Sequence, residues 1–173
     1  MKLIAGLMMG VVLWLLAPAG RPPAPDAEEA AFRAFLVEFE QGTTQFLNGD
    51  ATLWKRHVSS RDDVTIMGGW GAWEQGGTAV MQRYDWAVGR FRPSQATNTP
   101  TYLAMGVSGD LAYTVTVEKS VVQLIDQPAP KAMSLRVTTI FRKEAGSWKL
   151  VHRHEDPQIA KTAPGTVLDR KKD

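Results

Sequence analysis

The sequence predicts an α+β domain, with helices in its first half laid on one face of an antiparallel sheet in its second. Two observations carry this. Up to about Phe91, apolar residues recur at three- and four-residue spacing, the period of a helix face. Beyond Pro100, four long runs rich in Val, Thr, Ile and aromatics follow one another, separated by turn signals, the pattern of a meander.

The chain has 173 residues, room for one domain. Met1-Lys2 followed by the apolar run Leu3 to Leu16 and by Ala17-Pro18-Ala19 has the order of a secretory signal peptide. Residues 1–20 are therefore read as a signal, and the protein as exported to the periplasm or medium. The alternative is an uncleaved N-terminal membrane anchor. Residues 21–26 form a proline-rich linker, 27–156 the domain, and 157–173 a flexible tail.

Asp26 and Glu29 resemble a capping box, and Phe32, Phe35, Leu36, Phe39, Phe46 and Leu47 then mark a helix from about Ala27 to Leu47, stopped by Asn48-Gly49. Asp50 can cap a short second helix carrying Leu53, Trp54 and Val58. Val64 to Met67 reads as a strand. Glycines 68, 69, 71, 76 and 77 punctuate a loop bearing Trp70 and Trp73. A third helix runs from about Thr78 to Phe91, with Val80, Tyr84 and Ala87 on its stripe. The strands are Pro100 to Met105, Leu111 to Ile125, Met133 to Lys143 and Trp148 to Glu155.

Composition removes several function classes. Cutting after residue 20 removes one basic side chain, Lys2, leaving 19 basic against 18 acidic, too balanced for a nucleic-acid partner. There is no cysteine, so neither a disulfide framework nor a cysteine nucleophile exists. No phosphate-binding glycine loop has the needed context.

Side-chain alternation along the strands gives a sharper expectation. Trp148, Leu150, His152 and His154 share one parity, and the preceding turn suggests the pairs Phe141–Leu150, Thr139–His152 and Val137–His154. The covered face then holds both histidines. Arg136, Thr138, Arg142, Lys149 and Arg153 face outward. If Asp126 lies opposite Lys131, Glu118 pairs with Thr139 and faces inward with Thr114 and Thr116. A buried carboxylate needs a cation, a donor or water, and His152 is its nearest candidate. Such a pair raises the histidine pKa while burial lowers it, so the sign stays open.

The segments Gly109-Asp110-Leu111-Ala112-Tyr113, Arg136-Val137-Thr138, Phe141-Arg142 and Gly146 through His154 resemble the strand half of SnoaL-like domains, within the nuclear transport factor 2-like, cystatin-like superfamily. The resemblance spans about Glu28 to Asp156. It implies a curved sheet wrapped by the N-terminal helices into a cone with an internal pocket, and frequent homodimers. It also implies cyclase, isomerase, dehydratase or kinase-association relatives, so the fold alone does not select a function. The acidic positions of the steroid isomerases fall near Gly68 and Thr139, where this chain has no acid. The pocket arginines of the kinase association domain have no match, since Glu118 and Thr139 fall at two of those positions.

The leading functional reading is a pocket that binds a small, largely apolar molecule, lined by Trp70, Trp73, Tyr84, Thr116, Thr139 and Phe141. The alternative is an isomerase-, cyclase- or dehydratase-type enzyme with His152 and Glu118 as acid/base pair and His154 beside them. A third is a dimerisation or accessory module using the outward face of the sheet. A metal reading would join His152 and His154 to Glu118, but no further ligand cluster supports it, and no metal or cofactor is expected. The expected partners are an unidentified small molecule and a second copy of the chain, with neither nucleic acid nor, after signal cleavage, a membrane.

Overall fold

A computed structural model describes residues 27–157 and 159–164. The expected signal, the linker and the last part of the tail lie outside the described residues. Helix α1 spans Ala27–Phe46, α2 Thr52–Arg56 and α3 Gly77–Val88. The strands are β1 Thr65–Met67, β2 Trp73–Gln75, β3 Phe91–Ser108, β4 Leu111–Leu124, β5 Lys131–Glu144 and β6 Ser147–Asp156. They form one six-stranded sheet in the order β2-β1-β6-β5-β4-β3.

Every neighbouring pair is antiparallel except β1 with β6, which is parallel, so the sheet is mixed rather than purely antiparallel. The exception follows from topology. β1 enters from the helical half and meets the last strand only after the whole meander has been laid down. Trp73 falls on β2 and not in a loop, because Met67 and Trp73 close a short hairpin. The third helix ends at Val88, and Phe91 opens β3 instead. β3 begins nine residues before the expected start. Pro93 and Pro100 hid it, yet an edge strand tolerates proline. Its irregularities, between Arg92 and Thr97 and between Tyr102 and Ala104, bend the sheet.

The helices pack one apolar stripe on the concave face. Phe32 is fully buried, with its ring centroid 5.4 Å from that of Phe141 and 5.1 Å from that of Trp148. Phe39 lies 4.8 Å from Trp54 in the same cluster. Each such ring, once buried, contributes roughly 1.5–3 kcal/mol. A smaller cluster of Leu47, Phe91, Ala96 and Val122 closes the other end of α1. Asp50 stabilises the start of α2, its carboxylate accepting from Thr52 N–H at 2.8 Å. Gly77 starts α3 where a Cβ would sit 2.2 Å from the Ser60 carbonyl oxygen, so only glycine allows this approach.

Two register findings place the functional side chains. First, Glu118 pairs with Leu135, and Thr139 with Thr114. The β4–β5 loop is longer than expected, but the shift is an even number of residues and Glu118 stays on the concave face. Second, Phe141 pairs with Leu150 as expected, but Ile140 pairs with His152. Val151 is an extra residue, a β-bulge, and it reverses the parity of everything after it. Thr139 therefore faces Arg153, and Thr138 faces His154. The expectation that both histidines look inward, and that Arg153 looks outward, is corrected by this one residue. Among the described residues, no helix is long and apolar enough to cross a membrane.

Candidate functional site

The concave face encloses a cavity of about 300 Å³. Phe46, Leu47, Ile66, Phe91, Met133 and Leu135 supply apolar walls, and Trp70 stands at the mouth. The Trp70 ring packs against Trp86 at 5.7 Å and Phe91 at 5.5 Å. Gly69 brings the loop close to the site. A Cβ there would lie 3.1 Å from the Leu135 side chain, and the Gly69 N–H donates to Glu155 Oε2 at 3.2 Å.

The floor of the cavity is a buried charge cluster centred on Arg153, which is 3% exposed. Its Nη2 donates to both oxygens of Glu118, at 3.1 and 3.0 Å. Its Nε donates to Glu155 Oε1, and its Nη1 to Thr139 Oγ1 at 3.2 Å. The guanidinium also lies over the Trp54 ring, 5.1 Å from its centre. Burial alone would push the guanidinium pKa down; Glu118 and Glu155 together outweigh it and hold it above its ordinary value.

Tyr84 and Trp54 complete the floor. The Tyr84 hydroxyl and the Trp54 indole N–H are both buried without a hydrogen-bond partner. Burial raises the Tyr84 pKa well beyond the usual phenol range, and the negative charge of Glu155 adds to the rise. Arg153 and the nearby Trp54 N–H offset part of it, although neither Tyr84 nor Trp54 completes a bond to the other. Arg83 sits at the rim, stacked on Trp86 at 4.3 Å and donating to the Gly71 carbonyl at 2.9 Å.

Of the residues singled out from sequence, Glu118, Tyr84 and Trp70 line this cavity. Thr116 and Thr139 do not. They line a separate space of about 10 Å³ behind the Glu118–Arg153 pair, room for about one water. Phe141 is fully buried in the core. Trp73 is 69% exposed and faces a shallow outer groove with Met67 and His154.

His152 is not brought to Glu118. Its Nδ1 lies 2.8 Å from Thr65 Oγ1 on the convex side. Its pKa is lowered, first by burial and then by the neighbouring His154. The acid/base pair His152–Glu118 and the trio His152, His154 and Glu118 are therefore split across the sheet. Sequence reasoning missed Arg153, Glu155 and Trp54 as cavity groups. The need of Glu118 for a buried cation was legible, but the identity of that cation depended on the bulge at Val151.

A cone of helices on a curved, open sheet, with a polar floor inside it, can be compared with known families. The family model described as a SnoaL-like domain matches residues 38–158. The chain belongs to the SnoaL-like domain family. Solved structures agree on the fold. A nuclear transport factor 2-like superfamily protein from Salmonella enterica aligns at TM-score 0.66 and 19% identity, over 82% of this chain and 98% of that one. A nuclear transport factor 2-like protein from Streptomyces avermitilis, provisionally named a dehydratase, aligns at 0.65 and 17%, over 79% and 100%. A type 2 hexachlorocyclohexane dehydrochlorinase aligns at 0.61 and 14%, over 81% and 99%. At these identities the likeness is one of fold. A comparison with curated proteins finds no match. An arginine does stand at the floor of this cavity, Arg153, a residue expected from sequence to face outward.

Proposed function

We propose that this SnoaL-like domain binds a small, largely apolar molecule in its cavity. The observation that carries the reading is the cavity itself: about 300 Å³, with aromatic and aliphatic walls and a few buried polar groups at its floor. That is the construction of a small-molecule site, in which walls supply affinity and polar groups supply orientation. The binding energy comes from apolar surface removed from water. The polar centre is Glu118, Arg153 and Glu155, and not His152 with Glu118.

The test is a titration of wild-type protein with decalin and with 2-decalone, followed by intrinsic tryptophan fluorescence. Saturable binding of at least one probe, weakened by Trp70→Ala and unaffected by His152→Ala, supports the reading. Absence of binding by both probes refutes it.

Chemistry of isomerase, cyclase or dehydratase type centred on His152 is not carried forward, because that ring lies across the sheet from Glu118. A homodimer through the convex face remains part of the reading. Leu111, Tyr113, Val121 and Ile140 are exposed apolar side chains, and β4 and β5 alternation puts them on that face, opposite the inward Ala112, Thr114 and Phe141. Sedimentation should give twice the chain mass, and a monomer at high concentration removes the idea. Export rests on the apolar run Leu3 to Leu16 and its small-residue end. A mature N-terminus near Arg21 supports it, and Met1 retained on exported protein indicates an anchor.

A further inference from the structure

Two carboxylates share one guanidinium on the cavity floor. Glu155 Oε1 accepts from Arg153 Nε, and both oxygens of Glu118 accept from Nη2, at 3.1 and 3.0 Å. Nε and Nη2 are bonded to the same carbon, so the two anions stand side by side. One positive charge cannot neutralise both, and like charges this close repel. Arg83, the other cation that lines the cavity among the described residues, does not make up the difference. It stands at the rim, where Glu74 lies 3.8 Å from its Nε and the Gly71 carbonyl accepts from its Nη2 at 2.9 Å. An apolar space is thus enclosed over a surplus negative charge.

That surplus is open to the space above it. The Arg153 side chain is only 4% exposed and all three of its nitrogens are engaged, Nη1 with Thr139. The side chains of Glu118 and Glu155 are 11% and 22% exposed, and both line the cavity. They differ in spare capacity. Beside Arg153, Glu118 has Thr116 Oγ1 at 3.4 Å from one oxygen and Asn98 Nδ2 at 3.5 Å from the other. Each Glu155 oxygen holds one donor, Arg153 Nε on Oε1 and the Gly69 N–H on Oε2, and a carboxylate oxygen can accept a second. A ligand therefore meets acceptors on this floor, and its one cation is already taken. The walls favour the same sign of charge, since Phe46, Trp70 and Phe91 line the cavity and aromatic faces attract cations.

We propose that Glu155 binds the ammonium group of a compact amine whose remaining surface is apolar, with Glu118 supplying the second negative charge. This rests on the reading that the cavity holds a small, largely apolar molecule, and it adds the group by which that molecule is recognised. The ammonium brings the charge that Arg153 leaves unmatched, and its N–H groups donate to the unused lone pairs of Glu155. A carboxylate on the same skeleton would meet two like charges and a guanidinium with no nitrogen to spare.

The test uses four probes of one skeleton: decalin, decahydro-2-naphthol, decahydro-2-naphthylamine (protonated at neutral pH) and decahydro-2-naphthoate. Wild type should bind the ammonium about ten-fold more tightly than decalin, with the alcohol between them. The carboxylate should bind more weakly than decalin. Glu155→Gln keeps the shape of the side chain and removes the surplus charge. It should erase most of the ammonium preference and leave decalin affinity unchanged. Equal affinity of wild type for ammonium and decalin, or for ammonium and alcohol, overturns this inference and leaves the apolar cavity intact as a site. An ammonium preference that survives Glu155→Gln also overturns it. The wild-type series decides the matter whether or not the variant folds. Binding of neither decalin nor the ammonium overturns the reading of the cavity itself.

Discussion

The Nη2 of Arg153 donates to both carboxylate oxygens of Glu118, at 3.1 and 3.0 Å, across a distance of 35 residues in the chain. The pair joins β4 to β6 on the concave face and separates the larger cavity from the small space behind it. Because Glu155 and Thr139 also accept from this guanidinium, all three of its nitrogens are engaged. A buried charge held in this way is costly to leave half-paired.

Removal of the cation should therefore destabilise the fold strongly. Arg153→Ala leaves two carboxylates facing a buried space, and a loss of about 3–5 kcal/mol is expected. Arg153→Lys should recover only part of this, since one ammonium cannot reproduce the forked contacts. Urea unfolding of the three proteins, compared by midpoint at constant m-value, checks both expectations.

Substitutions on the convex face should behave quite differently. His154 is exposed and points away from the cavity, so His154→Ala should change stability by no more than about 0.5 kcal/mol. Phe141, fully buried among Phe32, Phe35 and Phe39, should lose about 3–5 kcal/mol on change to Ala. Thermal unfolding of both variants separates a core role for Phe141 from a surface role for His154.

Tyr84→Phe should run against the usual direction of core mutations. The hydroxyl is buried and completes no hydrogen bond with another group of the protein, so its removal takes away an uncompensated desolvation cost. The unliganded variant should be as stable as wild type or more stable by about 1 kcal/mol. A loss of stability on chemical unfolding would show that the hydroxyl has a partner inside the protein.

Acid should weaken the fold from just below neutrality. The pKa values of His57 and His152 are both lowered, with burial the largest cause in each. Around His57, Glu38 opposes the shift while Lys149 and Arg56 add to it, and His154 adds to that of His152. A lowered folded pKa means the unfolded chain takes up protons first as pH falls through about 6.5. Stability is unaffected by these groups above that value and declines below it, until the folded histidines protonate too. Melting temperatures from pH 7.5 to 5 should show the decline, and His57→Gln with His152→Gln should flatten it.

Much of the fold was legible because it depends on periods. Phe32, Leu36 and Phe39 repeat at helical spacing, and the β4 to β6 strands alternate cleanly enough to fix Phe141 against Leu150. The inward position of Glu118 survived an error in loop length, since an even shift preserves parity. The site was less legible. A bulge carries no periodic signal: His152-Arg153-His154-Glu155 reads as polar at every position, so no apolar residue marks which side is indoors. Val151 decides whether imidazoles or a guanidinium meet Glu118. The donors of Trp54 and Tyr84 were similarly hidden, because an unpaired N–H or O–H is a property of the packed neighbourhood and not of the residue type.

A crystal structure of protein purified from its own cells, inspected for electron density between Trp54, Tyr84 and Arg153, tests the central claim most directly. The structure should show Arg153 between Glu118 and Glu155, with a compact ligand above it against the walls of Phe46, Phe91 and Leu135. Imidazole rings of His152 and His154 in that space, or a cavity closed by collapsed side chains, would contradict it.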